Sequence, residues 1–158
     1  MVPMGIEIPF FRQEQLHHCG PAVVRMVLHF YGGERLEQEI ADAMGTTEEE
    51  GTPLSSILDY VKSQGLRVIH KDGADFSDIQ GFIDQGYPVM VNYRETSQEQ
   101  GHFALVVEIT EEEVILNDPW HGSGYAVDKE EFRRRWHNEK KTRERTIVAI
   151  LPKADNSG

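Results

Sequence analysis

The sequence predicts an α+β fold in which helices from the first part of the chain pack on an antiparallel β-sheet from the second part. Residues 22–64 contain three segments whose apolar side chains recur at helical spacing. Residues 102–117 contain two apolar, β-branched runs separated by a short polar stretch, which is the pattern of a hairpin. No repeat and no low-complexity segment divides the 158 residues, so we expect one domain over residues 1–158.

The first predicted helix is apolar on most of its surface, so we expect it to be central and buried. It runs over residues 22–31. Pro21 suits the first turn, because its missing N–H would have no partner there. Gly32 and Gly33 accept the positive φ at which helices end. Cys19 is therefore expected at the N-terminus of this helix.

The remaining elements follow from the same periodicities and from turn residues. We expect a second helix over 35–44 with Leu36, Ile40 and Ala43 facing inward, and a third that begins at Pro53 behind the cap Thr52, with Leu54, Ile57, Leu58 and Val61 facing inward. Further strands are expected over 66–70, 88–93, 102–109, 114–117 and 146–151. Helices are expected over 76–85 and 128–136, the second capped by Asp128, with a Gly-rich loop over 122–124 and a disordered tail over 153–158.

The charge and hydropathy of the chain exclude several partners. With 27 acidic and 16 basic residues the net charge is -11, which repels phosphate backbones and anionic lipid. The longest apolar run, residues 23–28, is interrupted by Arg25 and falls short of the roughly 20 residues of a membrane-spanning helix. Residues 1–10 lack the basic and then apolar order of a secretory signal. We expect a cytoplasmic protein that neither binds nucleic acid nor enters a membrane.

Cys19 is the only cysteine, which excludes an intramolecular disulfide and a cysteine-rich zinc site. It is either a small buried apolar residue or a reactive group. A transition metal bound by Cys19 with His17, His18 and His121 is a further alternative, but ligands adjacent in sequence rarely fit one tetrahedral site. We expect no metal and no cofactor.

The surroundings of Cys19 favour a nucleophile. The partial positive charge at a helix N-terminus favours the thiolate, and so does a neighbouring imidazolium. His102 starts one strand of the predicted hairpin and Asp118 ends the other, so both side chains are expected at the same end of the sheet. The carboxylate would then hold the imidazole in its useful tautomer. The alternatives are a structural histidine and a turn aspartate.

Two donors are available for the oxygen that gains negative charge when a thiolate attacks an acyl carbon. One is the backbone N–H of Cys19. The other is the side-chain amide of Gln13, six positions earlier. Losing one such donor typically costs about 2.7 to 4 kcal/mol of barrier.

These residues resemble a known family, the papain-like cysteine peptidases that process bacteriocin precursors after double-glycine leaders, together with free-standing relatives that lack an exporter. The likeness covers residues 6–150 and rests on Gln13, on Cys19-Gly20-Pro21-Ala22 before an apolar helix, on Gly101-His102-Phe103 at a strand start, and on Asn117-Asp118-Pro119. It implies the papain-like fold, with a buried nucleophile helix packed on the sheet. It also implies Cys19 as nucleophile, His102 as general base and acid, Asp118 as the residue that orients it, and Gln13 in the oxyanion hole.

Two residues beside this set are candidates for binding substrate. Trp120 is next to Asp118 and would line a groove or shield the triad, or else pack in the core. The residue before the cysteine is commonly acidic in the family and is His18 here, which can change the charge preference for substrates. We place His17 and His18 at the exposed rim of a cleft.

The resemblance implies a peptidase that hydrolyses peptide bonds, with small residues such as Gly-Gly before the cut, so the expected partner is a peptide or protein substrate. The alternatives are a non-catalytic peptide-binding module of the same fold and a papain-like amidase or transpeptidase. The polar stretches 48–50 and 95–100 are expected to be solvated loops, and residues 94–101 suggest a lid over the cleft.

Overall fold

The computed structural model describes residues 5–154. Within this range the chain forms helices and strands in the order α1 Cys19–Phe30, α2 Glu37–Met44, α3 Leu54–Ser63, β1 Arg67–Lys71, α4 Phe76–Asp84, β2 Val89–Arg94, β3 Gly101–Ile109, β4 Glu113–Asp118, β5 Gly122–Asp128, α5 Lys129–Arg135 and β6 Ile147–Leu151. No helix in the described part is long and apolar enough to cross a membrane.

The six strands form one antiparallel sheet in the order β1-β6-β2-β3-β4-β5. Alternate residues of β3 face opposite sides, as expected of a pleated strand. Leu105 packs with α1, α2 and α3 on one side, and Ala104 packs with α4 and α5 on the other. The α+β prediction is therefore confirmed, and the hairpin β3–β4 lies within the sheet rather than at its edge.

Helix α1 lies against the sheet because its sequence leaves almost no polar face to expose. Its buried residues include Val23, Val24 and Val27, and the helix begins at Cys19, as predicted. Gly20 allows a close approach to the start of α3, since a Cβ there would lie 2.9 Å from Oγ1 of Thr52. This approach brings the loop before Thr52 next to Cys19.

Three predictions about the elements are wrong. Residues 122–124, expected as a loop, are the start of strand β5. The inward face of α2 is shifted, because the helix begins at Glu37: Leu36 is 60% exposed, Ala43 is exposed, and Glu37, Ile40, Ala41 and Met44 are the buried positions. Thr52 does not cap α3, whose N-cap is Pro53, because its hydroxyl bonds to Thr46 at 2.7 Å. Of the predicted tail, residues 155–158 lie outside the described residues.

Candidate active site

The N-terminus of α1 meets the start of β3, and this brings Cys19 to His102. The two side chains are close enough that each shifts the pKa of the other, and the backbone N–H of Phe103 also lowers the pKa of the thiol. Cys19 is half-buried and His102 is 6% exposed. The thiol is therefore within reach of a substrate, which an inert core cysteine is not.

Asp118 holds the opposite side of the imidazole. Its Oδ1 lies 2.7 Å from Nε2 of His102, which leaves Nδ1 as the ring nitrogen for the sulfur. The carboxylate is fully buried and accepts further hydrogen bonds from the backbone N–H groups of Trp120 at 2.9 Å and His121 at 3.0 Å. The turn after β4 thus supplies the donors that make a buried carboxylate tolerable.

The electrostatics of the three groups favour an ion pair. Burial opposes ionisation of Cys19, but the charge and hydrogen bond of His102 outweigh it, so the pKa of the thiol is lowered. Burial also opposes protonation of His102, but Cys19 and Asp118 raise the pKa of the imidazole to about 10. The pKa of Asp118 is lowered against its burial, chiefly by the hydrogen bond and the charge of His102. A thiolate beside an imidazolium is the form of cysteine that attacks carbonyls.

Tyr93 is a member of this group that the sequence did not indicate. Its ring is fully buried, its hydroxyl donates to Oδ2 of Asp118, and it pairs with His102 across β2 and β3. Burial and the Asp118 charge both raise the pKa of the phenol, so it remains a donor. Tyr93 lies 25 positions before Asp118, and no local motif links them.

Replacing Tyr93 with phenylalanine is expected to lower kcat about ten- to a hundredfold, because Asp118 loses a charge-assisted hydrogen bond and holds His102 less firmly. Steady-state hydrolysis of a peptide substrate measures the effect. Tyr60→Phe removes a hydroxyl from the half-buried Tyr60 on α3 and is the matched control. Equal kcat values for the two variants would contradict the role of Tyr93.

Gln13 reaches the same cleft but its amide is engaged. Nε2 donates to the backbone carbonyls of Gln15 at 2.8 Å and Leu16 at 3.0 Å, while Oε1 is buried without a partner in the described part of the chain. The backbone N–H of Gln13 donates to the carbonyl of Pro119 at 3.0 Å, which ties this segment to the turn after Asp118. To donate to an oxyanion, the side-chain amide of Gln13 must turn one N–H away from the carbonyls of Gln15 and Leu16.

A cleft of about 540 Å³ opens on Cys19 and His102. Trp120 is half-buried in its wall, where it lines the groove, one of the two predicted alternatives. Within residues 5–154, no lysine or arginine lines this cleft, but five carboxylates do. They belong to Glu48, Glu49, Glu50, Glu95 and Glu139.

The loop over residues 95–100 is exposed at Ser97, Gln98, Glu99 and Gln100, as predicted, but its first residue is not. Glu95 is 4% exposed, and its carboxylate accepts hydrogen bonds from Ser97, Gln98 and His121, which together overcome burial and hold its pKa at about 2. Glu99 pairs with Arg135 at 2.7 Å. Glu95, Gln98 and Gln100 of this segment line the cleft, and the lid over residues 94–101 stays a prediction.

His18 does not lie where we expected. It is 3% exposed and bonds through Nδ1 to Glu37 at 3.0 Å, so the prediction of an exposed residue is wrong. It is not among the residues that line the cleft, whereas His17 is. Because His121 bonds to Glu95, the histidines of the alternative metal site point to separate partners. Between residues 5 and 154 no group of three side chains is placed to hold a metal ion.

The fold and these side chains define a class of protein. A cysteine at a helix N-terminus, paired with a histidine from an antiparallel sheet, is the arrangement of papain-like cysteine peptidases. Residues 5–144 match the Peptidase_C39 like family, and the chain belongs to this family.

Known structures and sequences agree with this assignment. The peptidase domain of Streptococcus ComA, a bifunctional ABC transporter involved in quorum sensing, has a TM-score of 0.74 at 22% identity, over 90% of this chain and 97% of that one. A double glycine motif protease from an AMS/PCAT transporter, solved in complex with the leader peptide, has a TM-score of 0.74 at 17% identity, over 94% of each chain. An uncharacterised protein of Methanothermobacter thermautotrophicus is 30% identical over 122 residues, 77% of this chain and 78% of that protein.

Proposed function

We propose that the protein is a cysteine peptidase that cleaves peptide bonds by way of a thioester on Cys19. The observation that carries the proposal is that Cys19 and His102 line one open cleft, with His102 hydrogen-bonded to the buried carboxylate of Asp118. Each member supports the ionised form of the next. A chance contact of three polar groups would not supply both a lowered thiol pKa and access for a substrate.

The reaction is acyl transfer in two steps. The Cys19 sulfur forms a bond to the carbonyl carbon, the C–N bond breaks, and His102 gives its proton to the departing amine. Water then attacks the thioester while His102 takes a proton from it, which releases the acid and restores the thiolate. The backbone N–H of Cys19 and the amide of Gln13 are the proposed donors to the oxyanion.

The favoured substrate is an extended peptide with small residues before the cut. The structural likeness to a double glycine motif protease solved with its leader peptide supports this choice. Incubation with a peptide library, followed by mass spectrometry of the products, tests the proposal. Products that share glycine at the new C-terminus support it, and an intact library contradicts it.

A peptide-binding module without turnover is the second candidate. It is favoured by one observation, that both contacts of the Gln13 amide nitrogen are to carbonyls of its own loop. Peptides retained by the protein but not cut would favour this candidate. An amidase or a transpeptidase would use the same side chains with another substrate or acceptor.

The acidic rim of the cleft predicts a preference for cationic peptides. Changing Glu48, Glu49 and Glu50 together to glutamine is expected to raise KM for a lysine-containing peptide about tenfold at low salt, because the rim no longer attracts it. The effect should vanish near 1 M salt, where screening acts over about 3 Å. Steady-state kinetics at the two salt concentrations measures it.

The matched control changes the same number of charges elsewhere. Glu111, Glu112 and Glu113 are exposed at the β3–β4 turn, at the opposite end of these strands from His102. A KM that rises equally in the two triple variants would show that net charge, rather than the rim, attracts the peptide.

A further inference from the structure

Glu37 is a carboxylate that the proposed reaction does not use and that the fold nevertheless buries. It is the first residue of α2, and its side chain has no exposed surface. A carboxylate is costly to bury unless donors surround it. The groups that donate to Glu37 therefore indicate what it holds in place.

Both partners of Glu37 lie on the segment that joins Gln13 to Cys19. Oε2 accepts a hydrogen bond from the backbone N–H of Glu14 at 2.7 Å and lies 3.0 Å from Nδ1 of the buried His18. Glu14 directly follows Gln13, and His18 directly precedes Cys19. One carboxylate oxygen thus fastens both ends of the segment.

These two ends carry the proposed donors to the oxyanion. Donors stabilise a transition state most strongly when little has to move during the reaction. With the backbone of the segment held in place, only the side-chain amide of Gln13 has to turn. The segment is also braced internally, since Gln13 Nε2 bonds to the carbonyls of Gln15 and Leu16. The N–H of Gln13 connects the segment to the turn after Asp118, and the bonds to Glu37 connect it to α2.

We propose that Glu37, acting through His18 and the N–H of Glu14, is a positioning residue that sets the spacing of the two oxyanion donors. This inference rests on the proposed peptidase function. In this role Glu37 contacts neither the substrate nor the sulfur. It affects stabilisation of the oxyanion and leaves ionisation of the thiol unchanged.

Two reactions of Cys19 separate these effects. In alkylation by iodoacetamide the thiolate forms a bond to the methylene carbon as iodide leaves, and no oxyanion develops. The second reaction is the addition of the thiolate to the peptide aldehyde acetyl-glycyl-glycinal. An S–C bond forms, the carbonyl π bond breaks, and the oxygen, which takes a proton, lies in the position of the oxyanion. The dependence of the alkylation rate on aldehyde concentration gives the dissociation constant of the aldehyde, because bound aldehyde protects Cys19.

The test compares Glu37→Gln with Glu39→Gln, which removes the same charge from the exposed side of the same helix turn. Glu37→Gln is expected to weaken aldehyde binding about tenfold or more, with an unchanged alkylation rate in the absence of aldehyde. Equal aldehyde affinities in the two variants would overturn the inference. The inference would also be overturned if the alkylation rate of Glu37→Gln fell by the same factor as its affinity for the aldehyde.

If circular dichroism shows that the Glu37→Gln variant is not folded, variants of His18 test the inference instead. His18→Asn keeps a donor near the position of Nδ1, and His18→Ala removes it. Affinity retained in the first and lost in the second supports the inference, and equal affinity overturns it. A wild-type protein that neither reacts below about pH 8.5 nor binds the aldehyde removes the peptidase proposal itself, whereas a reactive wild type with unaffected variants removes only the positioning role.

Discussion

Replacing Cys19 with alanine is expected to lower the rate of peptide hydrolysis by about 10⁶-fold, because the thioester cannot form and the remaining groups act on nothing. The fold should persist, since Cys19 is half-buried and alanine keeps the Cβ of the side chain that packs at the edge of the core. Mass spectrometry of a peptide library incubated with each protein measures the loss.

The Cys19 variant also separates hydrolysis from binding. Because the cleft is unchanged in shape, it should still retain the peptides that the wild type cuts, and isothermal titration with one such peptide would show this. Identical cleavage products from the two proteins would exclude Cys19 as the nucleophile.

Replacing His102 with alanine is expected to raise the pH at which Cys19 reacts with iodoacetamide. In the wild type the charge and hydrogen bond of His102 outweigh burial and lower the thiol pKa, so alkylation should proceed well below the free-thiol value of about 8.5. Without His102 burial remains, and the pKa of the thiol should rise to about that value or above it. Hydrolysis should fall roughly 10⁴-fold or more, because the amine departs without a proton donor.

The pH dependence follows from the two shifts. The thiolate appears as pH rises through the lowered pKa of Cys19, and the imidazolium disappears as pH rises through about 10. The ion pair is therefore present between these limits. Its contribution to stability is lost as pH falls through the Cys19 pKa, since that pKa is below its unfolded value, and as pH rises through the raised pKa of His102.

Alkylation rates measured from pH 5 to 11 would report the lower limit, since they rise as the thiolate forms. Rates of peptide hydrolysis would report the upper limit, since they fall as His102 loses the proton that the departing amine needs. His70→Ala is the matched control, because His70 is an exposed histidine on the edge strand β1. If the pH profiles of the two variants coincide, His102 does not activate the thiol.

Local signals predicted most of the fold. Helix α1 and the hairpin β3–β4 were predicted from the regular spacing of their apolar residues. Asp128 caps α5, as predicted. Strand β5 was missed because Gly122 and Gly124 have positive φ, and the pairing with β4 shifts at Leu116. Such an irregular strand start has the composition of a loop.

The expectations that failed around the cleft concern charged and polar residues whose partners are distant in sequence. Glu37 and Glu95 are buried because His18 and His121 bond to them, and neither pairing leaves a local pattern. The types of residue and their order along the chain did indicate that Cys19, His102 and Asp118 belong together, and the structure brings the three side chains together. The residues that contact these three, such as Tyr93 beside Asp118, could be identified only from the pairing of the strands.

The hydrogen bonds within residues 95–100, beside the cleft, have a consequence for how a ligand would bind. Because hydrogen bonds to Glu95 and the pair between Glu99 and Arg135 already order this segment, a ligand need not spend conformational entropy on folding it. Most of the ordering on binding would then fall on the incoming chain. Discrimination between substrates should depend on which chains can extend along the cleft.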